Sequence, residues 1–360
     1  MLFKSSDKVN VLSHPDFPQG KYIQIKLPYR GRRLMFWFQR AQRILHGDLL
    51  SKDEALDLLM SADDDLLSVL AAAFLIRRHY FGRGVALHVI QNAKSGLCSE
   101  DCAFCSQAGS AHSDAPQYAL QEMEKIIAGA RKAADLNALR YCVVISGREP
   151  ADDDLDIICR TVRQIKKEIH IEICTSLGLL NMEQARRLKD AGVDRFNHNL
   201  ESSERFYPSI CTTHGFADRK RTAEIVKASG MELCSGGLIG MGETLADRVE
   251  MALALRDIDA DSIPLNFLDP RPGTALENLT RLTPADCLRA LAMFRFIHPD
   301  KEIRVAGGRE ACLGSMQVLS LYAANSIFTK GYLTTPGQGY EEDMDMIAKA
   351  GFHVTGWTAA

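Results

Sequence analysis

The stretch Ala138-Leu139-Arg140-Tyr141-Cys142-Val143-Val144-Ile145, then the amphipathic helical run Asp153–Lys167, then His170-Ile171-Glu172-Ile173-Cys174-Thr175, decides the fold. Two short β-rich runs flank one helix-length segment, the pattern of strand, helix, strand. The pattern recurs along the chain. Candidate strands are Ala86–Gln91, Ala138–Ile145, His170–Thr175, Arg195–Asn199, Glu232–Ser235, Ser262–Asn266, Glu302–Val305 and Ser326–Phe328. Between them lie helical stretches at Leu120–Ala134, Asp153–Lys167, Met182–Ala191, Phe216–Ser229, Leu245–Arg256, Pro284–Phe296 and Ser315–Ala323. Eight strands with intervening helices predict an α/β fold, a parallel (β/α)8 TIM-type barrel. A doubly wound open sheet fits the same alternation, because periodicity does not report closure. Residues 34–80 read as N-terminal helices capping the barrel, with a capping box at Ser51-Lys52-Asp53-Glu54. Residues 1–33 carry Pro15, Pro18, Pro28 and Gly31 without clear periodicity and read as an irregular extension. Residues 81–360 form the barrel with a C-terminal segment.

In such barrels the chemistry gathers at the C-terminal ends of the strands. The residues that stand out fall there. A cysteine-rich loop follows the first strand, and Cys142 lies within the second. Cys174 ends the third, and Asn197, Asn199 and Glu201 end the fourth. Cys234, Asn266 and Arg304 lie on the fifth, sixth and seventh. That coincidence supports the barrel.

Composition sets the class. Of 360 residues 46% are hydrophobic and 25% charged, as in a soluble globular protein. The net charge of −3 gives no basic surplus that would favour nucleic acid or an anionic membrane surface. No apolar run reaches the roughly 18 residues of a membrane span. The start, Met1-Leu2-Phe3-Lys4-Ser5-Ser6-Asp7-Lys8, lacks the apolar core of a secretory signal. Ten cysteines in such a chain read as cytoplasmic thiols with metal or redox roles rather than as disulfides.

The cysteine-rich loop is Gly96-Leu97-Cys98-Ser99-Glu100-Asp101-Cys102-Ala103-Phe104-Cys105-Ser106-Gln107. Three thiolates on one tight loop can hold three irons of a 4Fe–4S cubane and leave the fourth open, whereas an electron-transfer cluster is closed by four cysteines. Zinc also suits thiolates, but structural zinc wants a fourth ligand. Gly236-Gly237-Leu238-Ile239-Gly240-Met241-Gly242-Glu243 follows the fifth strand, and glycine there allows the backbone to approach a ligand. Cys142, Cys174 and Cys234 are, one by one, ordinary small buried hydrophobes. Their shared depth in one barrel fits a second, deeper iron–sulfur cluster.

The cysteine loop resembles the signature of the radical S-adenosylmethionine enzymes. That resemblance implies S-adenosylmethionine chelated to the open iron of a cluster on Cys98, Cys102 and Cys105. One electron then yields a 5′-deoxyadenosyl radical that abstracts hydrogen from unactivated carbon. Phe104 matches the aromatic position beside the adenine, and Gly237, Ile239 and Gly240 belong to the segment whose backbone contacts it. Within the family, residues 35–356 resemble the sulfur-inserting branch, through Asn197-His198-Asn199-Leu200, Ser262-Ile263-Pro264-Leu265-Asn266, Ala323-Ala324-Asn325-Ser326-Ile327-Phe328 and Tyr332-Leu333-Thr334-Thr335-Pro336. By that likeness Cys142, Cys174, Cys234 and Arg304 hold a 2Fe–2S cluster. Asn199 and Asn266 hold the ureido ring of dethiobiotin, and Thr334 and Thr335 bind its carboxylate. His198 is structural. Glu201 lies near the ribose, where aspartate is common. Cys159, Cys211, Cys287 and Cys312 match no ligand position; Cys159 and Cys287 fall on outer helices, and Cys312 falls near the barrel mouth, within reach of the second cluster. The implied activity is sulfur insertion into dethiobiotin by a cytoplasmic homodimer, with flavodoxin or ferredoxin as electron donor. Rival readings are a hydrogenase-cofactor maturase or methylornithine synthase, and a non-catalytic iron–sulfur electron carrier.

Overall fold

Eight parallel strands close on themselves in the computed structural model, which describes residues 29–96, 98–334 and 337–356. They are β1 (Gly84–Lys94), β2 (Arg140–Ile145), β3 (Glu172–Ser176), β4 (Arg195–Asn197), β5 (Glu232–Cys234) with its continuation β6 (Gly237–Ile239), β7 (Ser262–Phe267), β8 (Glu302–Val305) and β9 (Ser326–Phe328). Closure is made by β9 on β1, with Ala86 beside Ser326 and His88 beside Phe328. A short β10 (His353–Thr355) adds to the start of β1. The barrel is therefore the architecture, and the open sheet is excluded by the β1–β9 pairing. All eight expected strands are present. Cys174 sits mid-strand in β3 rather than at its end, and β4 stops at Asn197, so Asn199 and Glu201 lie in the following loop.

The helices follow their strands: α4 (Met123–Asp135), α5 (Asp152–Glu168), α6 (Met182–Ala191), α7 (Phe216–Ala228), α8 (Leu245–Asp257), α9 (Pro284–Ile297), the short α10 (Arg309–Leu313), and α11 (Tyr340–Lys349) before β10. The stretch expected as a helix at Ser315–Ala323 is a 3-10 helix over Gly314–Tyr322 instead. Ahead of the barrel stand α1 (Tyr29–Leu45), α2 (Lys52–Leu59) and α3 (Leu66–Phe81). The capping box forms: Ser51 Oγ accepts from the Glu54 amide at 3.2 Å, and the Glu54 carboxylate accepts from the Ser51 amide at 3.1 Å. Helix α1 begins at Tyr29, inside the span expected to be irregular; residues 1–28 lie outside the described residues. Helices α2 and α3 pack on α9, and Arg77 of α3 donates to the Gly84 and Ala324 carbonyls beneath β1 and β9.

Strand alternation separates two interiors. On β2, Tyr141 and Val143 face the helices, and the Tyr141 hydroxyl donates to the Ile126 carbonyl of α4 at 3.0 Å. Cys142 between them faces the lumen, where it packs with Cys174, Ala306 and Phe328. Lumens of this fold are usually filled by layers of branched aliphatic residues. Here thiols, an arginine and two aromatic rings take that place, and about 50 Å³ stays empty. Below it, Glu302 on β8 is approached by Arg140, Arg195, Arg304 and His88, forming a charged floor.

Candidate active site at the barrel mouth

The loop after β1 folds through its own backbone. Cys105 N donates to the Cys102 carbonyl at 3.0 Å, Ala108 N to Cys105 at 3.1 Å, and Gly109 N to Glu100 at 2.9 Å. This turns the three cysteines toward one cavity of about 190 Å³ that all three line. The loop is pinned from the side by residues the motif does not announce. Asp101 accepts from the Thr212 and Thr213 amides at 2.9 and 3.2 Å. Glu100 accepts from Thr213 Oγ1 at 2.8 Å and is hydrogen-bonded to Nδ1 of His214. Burial alone would raise the Glu100 carboxyl, but Thr213, His214 and Arg148 hold it below the usual range. Hydrogen bonds led by that from Thr212 hold Asp101 lower still. Burial pushes the thiols of Cys98, Cys102 and Cys105 upward, so in the bare chain they are protonated. Metal binding draws the protons off such thiols and leaves thiolate ligands. Three convergent soft donors on an open cavity fit a cluster with one iron left uncoordinated by protein.

Deeper in the lumen, Cys142 and Cys174 are direct cross-strand partners. The two buried thiols interact, so ionising one disfavours ionising the other: Cys142 is pulled down and Cys174 pushed up. Cys234 is fully buried, and Nη1 of Arg304 donates to its sulfur at 3.6 Å. Arg304 Nη2 donates to Ser262 Oγ at 2.9 Å, and its guanidinium lies 5.0 Å above the Phe328 ring. Its Nε is buried without a partner among the described residues. Burial would lower the Arg304 pKa, but Glu302, Cys234 and Cys142 raise it above the ordinary value. The structure thus brings the three lumen cysteines and Arg304 together. A set of soft donors beside an orphaned buried nitrogen fits a second metal–sulfur group. Cys312 does not join them. Its thiol donates to the Leu268 carbonyl at 3.4 Å, outside the barrel wall, and interacts with the buried thiol of Cys287 on α9. Cys159 likewise donates to Arg187 on the helical layer.

A third space, of about 230 Å³, lies between the loop and the lumen and is lined by Phe104, Asn199, Glu201, Asn266 and Thr334. Asn199 Oδ1 accepts from Gly236 N at 3.1 Å. Asn266 donates to the Gly237 carbonyl at 3.1 Å and accepts from Gly307 N at 2.8 Å. Each amide is thereby fixed in orientation and keeps donor or acceptor capacity for a ligand. Thr334 Oγ1 is 2.9 Å from Ser106 Oγ, while Thr335 lies outside the described residues. Burial raises the Glu201 carboxyl despite Arg219 nearby, and its φ of 66° is left-handed. Leu333, at φ 50°, is the other non-glycine at this site in that region. His198 is buried and kept neutral by desolvation.

The glycine run behaves differently from the expectation. A Cβ on Gly236 would stand 1.9 Å from the Pro264 carbonyl oxygen, and one on Gly237 2.2 Å from Sδ of Met251. These positions are glycine because strand and helix pack against them. Ile239 is fully buried and Gly240 N donates to Glu243, so Leu238 is the member of the run that lines the middle cavity. Sequence reasoning missed Ser176 and Leu333 and gave Asn197 no role, yet these three line all three cavities and connect them. Only the position of Asn197 at a strand end signalled it.

A closed α/β barrel with a three-cysteine loop at its mouth and a lumen of thiols defines a radical S-adenosylmethionine enzyme. Residues 94–255 match the family model of the Radical SAM superfamily, and residues 264–353 match that of the Biotin and Thiamin Synthesis associated domain. The chain is 52% identical over 316 residues to a biotin synthase of Salinibacter ruber, spanning 88% of each chain. It is 52% identical over 321 residues to one of Staphylococcus haemolyticus, spanning 89% of this chain and 99% of that one. To one of Bacillus subtilis it is 48% identical over 318 residues, spanning 88% and 95%. The chain belongs to the biotin synthase family. Among solved structures it resembles a methylornithine synthase (TM-score 0.77, 19% identity, 88% of this chain and 97% of that one). It also resembles the FeFe-hydrogenase maturase HydG of Carboxydothermus hydrogenoformans (TM-score 0.76, 16% identity, 91% and 80%). Those two share the fold; the high identity lies with the biotin synthases.

Proposed function

We propose that the chain is a radical S-adenosylmethionine sulfurtransferase that inserts sulfur between two unactivated carbons of dethiobiotin to form biotin. When bound, a 4Fe–4S cluster with S-adenosylmethionine supplies hydrogen abstraction from unactivated carbon, and a 2Fe–2S cluster supplies the sulfur. Cys98, Cys102 and Cys105 hold the first group, with Glu100 and Asp101 clamping their loop. Cys142, Cys174, Cys234 and Arg304 hold the second. Phe104 flanks the adenosine with Leu238 of the glycine run beside it, and Asn199 and Glu201 stand at the ribose side. Asn199 and Asn266 bind the ureido ring, and Thr334 and Thr335 the carboxylate. The buried side chains of Asn199, Leu238, Asn266 and Phe267 wall the inner side of the middle cavity away from solvent, which limits side reactions of a reactive carbon centre. The electron donor is a flavodoxin or ferredoxin, and the compartment is the cytoplasm. No helix among the described residues is long and apolar enough to cross a membrane.

The observation that carries this reading is the stacking of two separate donor sets along one barrel axis, joined by cavities that share Ser176, Asn197 and Leu333. One cysteine set alone would suit other radical enzymes; the lumen set adds a sulfur source. The test is anaerobic turnover with reductant, S-adenosylmethionine and dethiobiotin, read by mass spectrometry. Cys98→Ala should abolish both 5′-deoxyadenosine and biotin. Cys142→Ala should abolish biotin and retain 5′-deoxyadenosine. Full biotin formation in either variant would refute the role of that cluster.

A further inference from the structure

Beside the cluster loop lies a fourth cysteine that the cofactor reading leaves without a role. Cys211, between β4 and α7, has its Sγ 3.8 Å from Sγ of Cys102. It is 3.3 and 3.9 Å from Nδ1 and Nε2 of His214. One ligand atom from each of the three residues lies within 4.8 Å of the others. A tetrahedral zinc ion, with bonds of about 2.3 Å to sulfur and about 2.0 Å to nitrogen, has S···S edges of about 3.8 Å and S···N edges of about 3.5 Å. The S···S edge of 3.8 Å and the Cys211 Sγ–Nε2 edge of 3.9 Å already stand near those spacings, and the Cys102–imidazole edge lies within 4.8 Å. Nδ1 of His214 is hydrogen-bonded to the Glu100 carboxylate, the kind of partner that orients a ligating imidazole and leaves Nε2 for the metal. Cys102 and His214 also line the cavity of about 190 Å³, which gives a fourth ligand, water, a place to stand. Cys211 otherwise donates to Asp101 Oδ1 at 3.2 Å and meets Thr213 Oγ1 at 3.5 Å.

We propose that Cys102, Cys211 and His214 form a zinc site in the chain before cluster assembly, and that zinc there competes with the 4Fe–4S cluster for Cys102. Binding converts two thiols to thiolates, so two protons leave as the ion enters; no oxidation occurs. The competition rests on the cluster reading above, whereas the site does not.

The full-length, cluster-free chain is kept reduced and anaerobic and titrated with Co2+ as a coloured substitute for zinc. Thiolate-to-cobalt charge-transfer absorption should saturate near one equivalent and be displaced by zinc. Cys211→Val and His214→Gln should each raise the Kd roughly tenfold or more. Cys98→Ala should change it by less than about twofold, because Cys98 is outside the proposed set. If Cys211→Val melts early, Cys211→Ala repeats the measurement. Iron–sulfide reconstitution with one equivalent of zinc should yield half the cluster or less in the parent chain and be unaffected in Cys211→Val. Undiminished cobalt binding in the Cys211 variants overturns the site, as does equal loss in Cys98→Ala, which would put the metal among the loop cysteines. Reconstitution indifferent to zinc overturns the competition. If the parent chain builds no 4Fe–4S cluster yet binds cobalt through Cys211, the cluster reading fails and the zinc site stands.

Discussion

Glu302→Gln should destabilise the barrel through one particular arginine. The Glu302 carboxylate accepts from Nη1 of Arg140 at 2.9 Å, Nη1 of Arg195 at 2.8 Å and Ser326 Oγ at 3.0 Å, and also pairs with Arg304. Nε2 of His88 lies 3.0 Å away. Arg140 keeps Glu172, and Arg195 keeps Glu232, when Glu302 is neutralised. Arg304 pairs with no other carboxylate among the described residues, and its side chain is only 2% exposed. The substitution therefore strands one buried guanidinium. Breaking a buried pair from one side costs about 3–5 kcal/mol. At the shallow slope of a long chain, about 2 °C per kcal/mol, the Tm should fall by roughly 6–10 °C. Burial alone would raise the Glu302 pKa, but Arg195, Arg304 and His88 hold it well below the carboxylate range. Its contribution is thus present above about pH 4.5 and lost only as pH falls toward the folded value, so the deficit should be the same at pH 7.5 and 6. The assay is thermal melting of the reduced, cluster-free chain by circular dichroism. In Glu302→Gln/Arg304→Met the stranded charge is gone, and most of the lost stability should return. A single variant melting within about 2 °C of the parent, or a double variant no better than the single, would refute the reasoning.

Burial lowers the pKa of His88 and of His298 from 6.5 to about 3. Each folded imidazole stays neutral where the unfolded one protonates, so stability is held above pH 6.5 and lost as pH falls; at pH 5.5 each costs about 1.4 kcal/mol. Urea unfolding at pH 7.5 and 5.5 should show at least that loss, and His298→Gln should remove about 1.4 kcal/mol of it; identical pH slopes in parent and variant would contradict it. Gly236→Ala should yield no soluble folded chain, since its Cβ would meet the Pro264 carbonyl at 1.9 Å. Gly47→Ala, at φ +98° with nothing within 4 Å, should express normally and cost only about 1–2 kcal/mol in a melt. Asn266→Ala strands the Gly307 amide and Gly237 carbonyl, so it should lose about 1–3 kcal/mol of stability and raise the KM for dethiobiotin. An unchanged KM in steady-state assays would remove Asn266 from substrate binding.

The amino-acid sequence by itself determined the order of elements and the kinds of chemistry. Met182–Ala191 is a helix as the periodicity reads it, and each of the eight barrel strands lies where a β-rich run stands between helical ones. Spacing alone made Cys98, Cys102 and Cys105 one donor set, because three residues on a short loop cannot separate far. These are local properties, carried by period, branching and a few bonds of chain. The 3-10 turn at Gly314–Tyr322 escaped, since an apolar stripe there does not tell the two helical pitches apart.

Tertiary structure alone decided what requires distant residues to meet. Nothing in the alternation of strands and helices states that β9 returns to β1; only the backbone hydrogen bonds along Ala86–His88 and Ser326–Phe328 do. The same closure turned Cys142, Cys174, Cys234 and Arg304 from scattered small or charged residues into neighbours in one lumen. It also sent Cys312 outside the wall. The clamp of Glu100 and Asp101 on residues 211–214 spans more than a hundred positions, as does the convergence of Arg140 and Arg195 on Glu302. Such contacts follow from how layers pack and from the stagger of the closed sheet, quantities that local sequence pattern does not encode.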